Sequence, residues 1–193
     1  MIIGITGPTG SGKTTLLNLI RDCGGTVLDC DAIYHDLLAT DEAMLCALRR
    51  RFPAAFLQGT LDRKALGVTV FHDPAALQDL NTITHTAVKK AVQAELSQNP
   101  KLAAIDAIAL FEGGLAEVCD ITVAVIAPEE DRIRRIMARD GISEEYARSR
   151  VAAQHDSQWF TERCTYTLEN SGTRADCEAA CLAFLRKIGI ITL

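Results

Sequence analysis

The sequence predicts an α/β protein, a five-stranded parallel sheet flanked by helices with a helical subdomain inserted in it and an arginine-rich lid. Three observations carry this. Short apolar runs alternate with amphipathic stretches, the pattern of βα units whose strands are covered on both faces. The first run, Ile2–Thr6, feeds straight into the glycine-rich turn Gly7-Pro8-Thr9-Gly10-Ser11-Gly12-Lys13-Thr14. A long polar-periodic tract separates the second strand from the third, and a run dense in arginine follows the fourth.

Taken in order, a helix over 13–21 follows the turn and stops at Gly24-Gly25. Thr26–Asp29 reads as the second strand and 32–38 as a helix. The tract 41–99 reads as helical throughout, with apolar positions at Met44, Leu45, Leu48, Phe52, Leu66, Val70, Phe71, Leu77, Leu80 and Ile83. The third strand is expected over 102–110 and the fourth at Ile121–Ile126. Pro128 opens a helix running to about Arg139. Ser143 starts another reaching about His155, a last short strand covers 166–168, and 176–188 closes the chain as a helix. All of 1–193 is expected to form one domain. Its core is 1–40, 101–130 and 164–193, with the helical insertion at about 41–99 and the lid at about 131–163.

Composition narrows the class. With 193 residues, 48% hydrophobic and 23% charged, one domain is expected, burying about 70% of its unfolded surface. The net charge of −5 argues against a broad nucleic-acid face while leaving room for a small basic pocket. Seven cysteines without CxxC or zinc spacing read as the reduced thiols of a cytoplasmic protein. Cys177 and Cys181, one helical turn apart, read as core residues. The opening MIIGITG lacks the basic flank of a secretory signal, and no run is long enough to span a bilayer. No membrane or nucleic-acid partner is expected, and the state is that of a monomer or small homo-oligomer. His35, His72, His85 and His155 lack metal-ligand spacing and read as surface or pocket-edge residues.

Gly7 to Thr14 fits GxxxxGK[ST], the phosphate-binding P-loop. Gly7, Gly10 and Gly12 let the backbone curl so that successive N–H groups of Thr9, Gly10, Ser11, Gly12, Lys13, Thr14 and Thr15 point at phosphate oxygens. The next helix offers its positive end to the same anion. Lys13 reaches the β- and γ-phosphates and the Thr14 hydroxyl ligates Mg²⁺. The expected fold is therefore that of P-loop NTPases, and the expected ligand is ATP with Mg²⁺. Asp29-Cys30-Asp31 ends the second strand at the sheet's carboxyl edge, where ligands of such sheets bind. Phosphorylating an alcohol needs a group to orient the hydroxyl and take its proton. Asp31 is assigned that part, whereas Asp29 either faces the same pocket or caps the next helix. Asp106, after Ala103-Ala104-Ile105, resembles a Walker B aspartate that holds Mg²⁺ directly or through water. Glu112 follows in the loop after that strand. Of the arginines, Arg135 and Arg139 share a helix face and are assigned to a lid that closes over ATP. Arg132 and Arg134 are expected to form a solvated face with Glu129, Glu130, Asp131 and Glu144. Trp159 and Phe160 are expected to anchor the lid.

These segments, in order and spacing, resemble the dephospho-CoA kinase family from residue 2 to about 185. The likeness is carried by GITGPTGSGKTT at the loop, LDCDAIYHDLL with Asp31 at the second aspartate, and DRKALGVTVFHDP through Arg63, Leu66 and Phe71. LNTITH ending at His85, DAIALFEGGL from Asp106, and RRIMARDGISEEYARSRVAAQ with Arg135, Arg139, Arg150 and Gln154 in register continue it. LENSG with Asn170 ends it, in a motif that lies near adenine in related kinases. Ile108 and Thr86 stand where the family pattern has prolines. The resemblance implies transfer of ATP's γ-phosphoryl to the ribose 3′-hydroxyl of dephospho-CoA, with Asp31 as base. Arg63, His85 and Glu112 would lie on the CoA side. The loop and lid fit another small-molecule kinase, such as a nucleoside monophosphate kinase, equally well, but the DxD and LFE segments favour the CoA enzyme. A GTP-dependent switch would carry NKxD, which this sequence lacks.

Overall fold

The structure is a computed structural model and describes residues 1–191. Its contacts divide the chain into two compact units, Met1–Leu28 with Pro100–Leu110 and Ala116 onward, and Asp29–Asn99 with Phe111–Leu115.

The first unit is built on the expected five-stranded parallel sheet. Its strands are β1 (Ile2–Thr6), β2 (Thr26–Asp29), β5 (Ala103–Asp106), β6 (Ile121–Ile126) and β7 (Tyr166–Glu169), in the order β2-β5-β1-β6-β7. β1 is central, paired with β5 from Ile2↔Ala103 to Ile5↔Asp106 and with β6 from Ile3↔Ile121 to Thr6↔Ala124. Whatever follows Thr6 therefore rises from the middle of the sheet's carboxyl edge. The helices are α1 (Lys13–Asp22), α6 (Glu129–Asp140), α7 (Glu144–Ala152), α8 (Ser157–Thr161) and α9 (Arg174–Lys187). Ile3, Ile5, Val123 and Val125 pack against Leu16, Leu17 and Ile20 of α1 and against Cys177, Cys181, Phe184 and Leu185 of α9. Cys177 and Cys181 thus serve as small apolar core residues.

The second unit holds α2 (Cys30–Thr40), α3 (Glu42–Arg51), α4 (Arg63–Phe71) and α5 (Pro74–Leu96) around Met44, Leu48, Phe52, Ala55, Leu66, Val70 and Ala76. Each helix opens on an aspartate. Asp29 accepts from the N–H groups of Asp31 and Ala32, Asp41 from Met44, Asp62 from Lys64 and Ala65, and Asp73 from Ala75 and Ala76. Such caps satisfy the donors that a first turn leaves unpaired. Thr86, in mid-α5, keeps the backbone N–H that a proline would lack, and its hydroxyl donates to the Thr82 carbonyl at 2.7 Å.

Several boundaries differ from expectation. The 41–99 tract is not helical throughout. It contains a hairpin, β3 (Phe56–Leu57) and β4 (Thr60–Leu61), turning at Gln58 and Gly59 with positive φ. Strands of two residues are too short to show alternation. Arg49 braces the hairpin, lying over the Phe56 ring and donating to the Gly59 carbonyl at 2.9 Å. Phe71 and Leu77 are exposed rather than core, Phe71 by 83% because it ends α4 at the turn into His72. β5 stops at Asp106, and the apolar residues beyond it continue as loop, with Leu110 packed beneath Gly4. An apolar run reports burial, not strand length. α2 starts two residues early because Asp29 caps it. α9 starts at Arg174 behind a capping box of Thr173 and Asp176. The helix after Ser143 ends at Ala152, and Asp156 then caps the separate α8. Among the described residues no helix is long and apolar enough to cross a membrane.

Leu48 is fully buried. Leu48→Ala is expected to lower unfolding stability by about 2–5 kcal/mol, read by urea titration. A loss well under 1 kcal/mol would mean the helical unit lacks a packed centre there.

Candidate active site

The site begins where β1 runs out. Thr6 is buried, and its hydroxyl donates to the Ile108 carbonyl at 3.2 Å. Gly7 follows with φ 135°, and a Cβ there would stand 2.1 Å from the Val125 carbonyl oxygen. Only glycine lets the loop leave the sheet so close to β6. Gly12, with φ 99°, caps α1, and a Cβ there would meet the Asn170 amide nitrogen at 2.2 Å. Between them the chain turns tightly, with the Ser11 N–H donating to the Pro8 carbonyl at 3.2 Å. The N–H groups of Gly10 and Gly12 donate to no backbone carbonyl among the described residues. Together with the start of α1 they form an anion cradle, whereas the Thr9, Ser11 and Thr15 N–H groups, expected to face phosphate, donate instead to Gln154, Pro8 and Gly12. Lys13 folds back across it, its Nζ 2.8 Å from the Gly7 carbonyl. Thr14 is exposed at the helix start.

A peptide that turns its N–H one way turns its C=O the other, and the outward carbonyls are all met by side chains. Arg132 Nε donates to the Thr9 carbonyl at 3.0 Å. Arg135 donates to the Gly10 carbonyl at 3.3 Å and to the Asn170 carbonyl and side-chain oxygen at 3.2 and 3.3 Å. The Asn170 amide donates to the Ser11 carbonyl at 2.9 Å. Gln154 grips Thr9 twice, accepting from its N–H at 2.9 Å and donating to its hydroxyl at 2.7 Å. Arg135 and Asn170 are thus brought together on the outer side of the loop.

Arg132 corrects the sequence expectation of a solvated face. It is 3% exposed and shares the buried side of α6 with Ile133 and Ile136. Its spacing of three and four from Arg135 and Ile136 is the signal that could have placed it there. Arg134 does stay exposed, paired with Asp131. Arg139 is exposed and binds Asp140 through two bonds of 2.6 and 3.0 Å, and Arg150 reaches the same carboxylate at 2.5 Å. The hydrogen bond from Arg139, then that from Arg150, holds the Asp140 carboxyl down to about 2, so it stays ionised at any working pH. Arg148 spans Glu130 and Glu144, stitching α6 to α7. Phe160 is buried, and Trp159 is stacked between His155, at 4.0 Å, and Arg163, at 4.3 Å.

Asp29 has its carboxylate committed to the α2 cap, whereas Asp31, in the first turn, is exposed. Asp106 is the last residue of β5, in register with Ile5 and half-buried at the edge from which the loop rises. Among the described residues no cluster of three metal-binding side chains occurs, so the protein supplies no cage of its own. One hydroxyl from Thr14 and one carboxylate from Asp106 suit an ion such as Mg²⁺, which takes few protein ligands and completes its shell with phosphates and water. A cleft of about 690 Å³ lies on the α6 side, lined by Asp131, Arg134, Arg135, Gly172, Thr173 and Arg174. In the second unit Arg63 opens α4 with its guanidinium 3.5 Å from the His35 ring, His85 is half-buried on α5, and Glu112 is exposed in the 111–115 segment.

Comparison with known proteins gives a consistent result. The family model described as dephospho-CoA kinase matches residues 1–176. A dephospho-CoA kinase of Thermus thermophilus is 40% identical over 189 residues, 97% of this chain and 92% of the relative. One from Deinococcus radiodurans is 38% identical over 192 residues, with the same coverage. The crystal structure of TT1252 from Thermus thermophilus is similar at a TM-score of 0.82 and 40% identity, covering 97% of each chain.

Gly12→Ala puts a methyl group where the Asn170 amide stands. ADP affinity is expected to fall at least about tenfold, a full hydrogen bond's worth or more, with the fold retained by circular dichroism. Unchanged affinity in calorimetric titration would mean that the loop does not hold the phosphates.

Proposed function

The chain belongs to the dephospho-CoA kinase family, and we propose that it transfers the γ-phosphoryl group of ATP to the ribose 3′-hydroxyl of dephospho-CoA, giving coenzyme A and ADP. The observation that carries the reading is the loop from Gly7 to Thr14. Its Gly10 and Gly12 N–H groups have no backbone acceptor among the described residues and its Thr9, Gly10 and Ser11 carbonyls are held from behind, in a chain similar to these kinases over almost its whole length.

In the proposed reaction the 3′-oxygen attacks the γ-phosphorus, the bond from that phosphorus to the bridging oxygen breaks, and ADP leaves. The hydroxyl proton passes to the Asp31 carboxylate. One feature supports Asp31 over Asp29: both are exposed, but the Asp29 carboxylate already caps a helix, accepting from the N–H groups of Asp31 and Ala32. Lys13 and the loop amides, those of Gly10 and Gly12 first, neutralise charge spreading over the phosphoryl oxygens. Thr14 and Asp106 would hold Mg²⁺, which when bound neutralises and bridges the phosphates. The adenine is assigned to the cleft between Arg135 and the turn after Asn170, whose apolar and guanidinium surfaces suit a flat base. Residues 131–163 are assigned to a lid, in which Arg139 would exchange Asp140 for phosphate oxygens on closing. Arg63, His85 and Glu112 are assigned to the acceptor side. The seven cysteines stand as free thiols, the state that a reducing cytoplasm maintains, and the protein is proposed to act there as a monomer or small homo-oligomer.

Turnover of dephospho-CoA with ATP and Mg²⁺ tests the whole. Phosphorylation of a nucleoside monophosphate but not of dephospho-CoA would overturn the acceptor. Asp31→Asn is expected to cut kcat by about 10²-fold or more, the scale of general base catalysis, with the KM for ATP nearly unchanged. Near-normal kcat in that variant would remove Asp31 as the base. Lys13→Ala is expected to abolish turnover.

A further inference from the structure

Every other arginine of α6 and α7 has its charge met by a carboxylate, or, for Arg135, by four oxygens of the loop and Asn170. Arg132 differs. It is 3% exposed, makes no ion pair among the described residues, and its Nη2 is buried without a partner. Burial pulls its pKa down, and Glu129, earlier on the same helix, offsets that only in part. A desolvated guanidinium with a single acceptor is costly. That acceptor is the Thr9 carbonyl, and the loop lies directly against the helix there. A Cβ on Gly10 would meet the Arg132 carbonyl oxygen at 2.8 Å and its Cα at 3.0 Å.

The Thr9 carbonyl and the Gly10 N–H are two ends of one peptide group. A charged donor on the carbonyl pulls electron density toward oxygen and makes the N–H at the other end a stronger donor. That N–H has no backbone partner and belongs to the cradle. The Ser11 carbonyl is treated the same way: its peptide carries the Gly12 N–H, and it accepts from Asn170. On the Thr9 carbonyl the donor is the buried charge of Arg132, whereas on the Ser11 carbonyl the short bond is from the neutral Asn170 amide and the charged Arg135 stands at 3.5 Å.

We propose that Arg132 is a positioning residue for the donor nucleotide, polarising the Thr9–Gly10 peptide from behind so that the Gly10 N–H binds phosphate more strongly. It touches no substrate and acts through the Thr9 carbonyl. The inference rests on the loop holding the nucleotide's phosphates, and is independent of which alcohol is phosphorylated.

The test is ADP binding by calorimetry, with steady-state kinetics and the Gly10 amide proton shift in the ADP complex, on Arg132→Met, Arg132→Gln and Arg132→Lys. Arg132→Met is expected to weaken ADP roughly ten- to thirtyfold, the scale of a charge-assisted hydrogen bond. The same change should appear in the KM for ATP while the KM for the acceptor stays within about twofold, and the Gly10 proton should move upfield. Arg132→Gln, which keeps an N–H donor without the charge, and Arg132→Lys, which keeps the charge, are expected to fall between Met and the unmodified protein. A general loosening of the fold would instead lower the melting temperature and affect both substrates alike, without a graded Gly10 shift, and that result would overturn the proposal. So would ADP affinity within about twofold of normal in any folded variant lacking the charge. Should Arg132→Met fail to fold, Arg132→Gln alone decides by the same criteria. Normal ADP binding with no turnover of dephospho-CoA would count against the proposed acceptor and leave the Arg132 inference standing.

Discussion

A peptide group cannot turn its N–H toward a ligand without turning its C=O away, and buried carbonyls need donors. That constraint organises the first unit. Between Gly7 and Gly12 the backbone leaves the Gly10 and Gly12 N–H groups without a backbone acceptor and sends the Thr9, Gly10 and Ser11 carbonyls outward, where Arg132, Arg135 and Asn170 receive them. The sheet serves the same end. Its central strand delivers the loop to the middle of the carboxyl edge, and Asn170 reaches it because its own N–H continues the pairing of β7 with β6, donating to the Ile126 carbonyl at 2.8 Å. Residues far apart in the chain are drawn to one turn because that turn cannot satisfy itself.

The second unit solves its end-group problem locally. Four helices, four aspartate caps and a core of medium-sized apolar side chains make it a small bundle in its own right. The same chemistry separates the two carboxylates of the DxD segment. Asp29 is held by two N–H bonds and has a structural part, whereas Asp31, two residues on, carries an exposed carboxylate. A capping carboxylate and a free-standing one lie two residues apart because a helix start both needs an acceptor and projects its next side chains outward.

Much of this was legible beforehand. The buried strand before GxxxxGK[ST], the helix after it, and the sheet implied by alternating runs all stand in the structure, because strand burial and glycine spacing leave direct marks on composition. The hairpin at Phe56–Leu61 left none, since a two-residue strand has no period. The apolar run after Asp106 misled because loops can be buried too. Arg132 misled because charge is read as exposure, whereas its spacing of three and four from Arg135 and Ile136 already put it on the inner face of α6.

By itself, the sequence determined the α/β class, the phosphate loop and the order of motifs that marks the family, since these depend on residue types at short fixed spacings. Only the tertiary structure decided which side chains hold the loop from behind, which aspartate of DxD is committed to a cap, and that Arg139 and Arg150 share Asp140 while Arg135 faces the loop. How the loop is held depends on where its carbonyls come to lie once the chain has folded, and the shared Asp140 on how α6 meets α7, and no local pattern of residues encodes either.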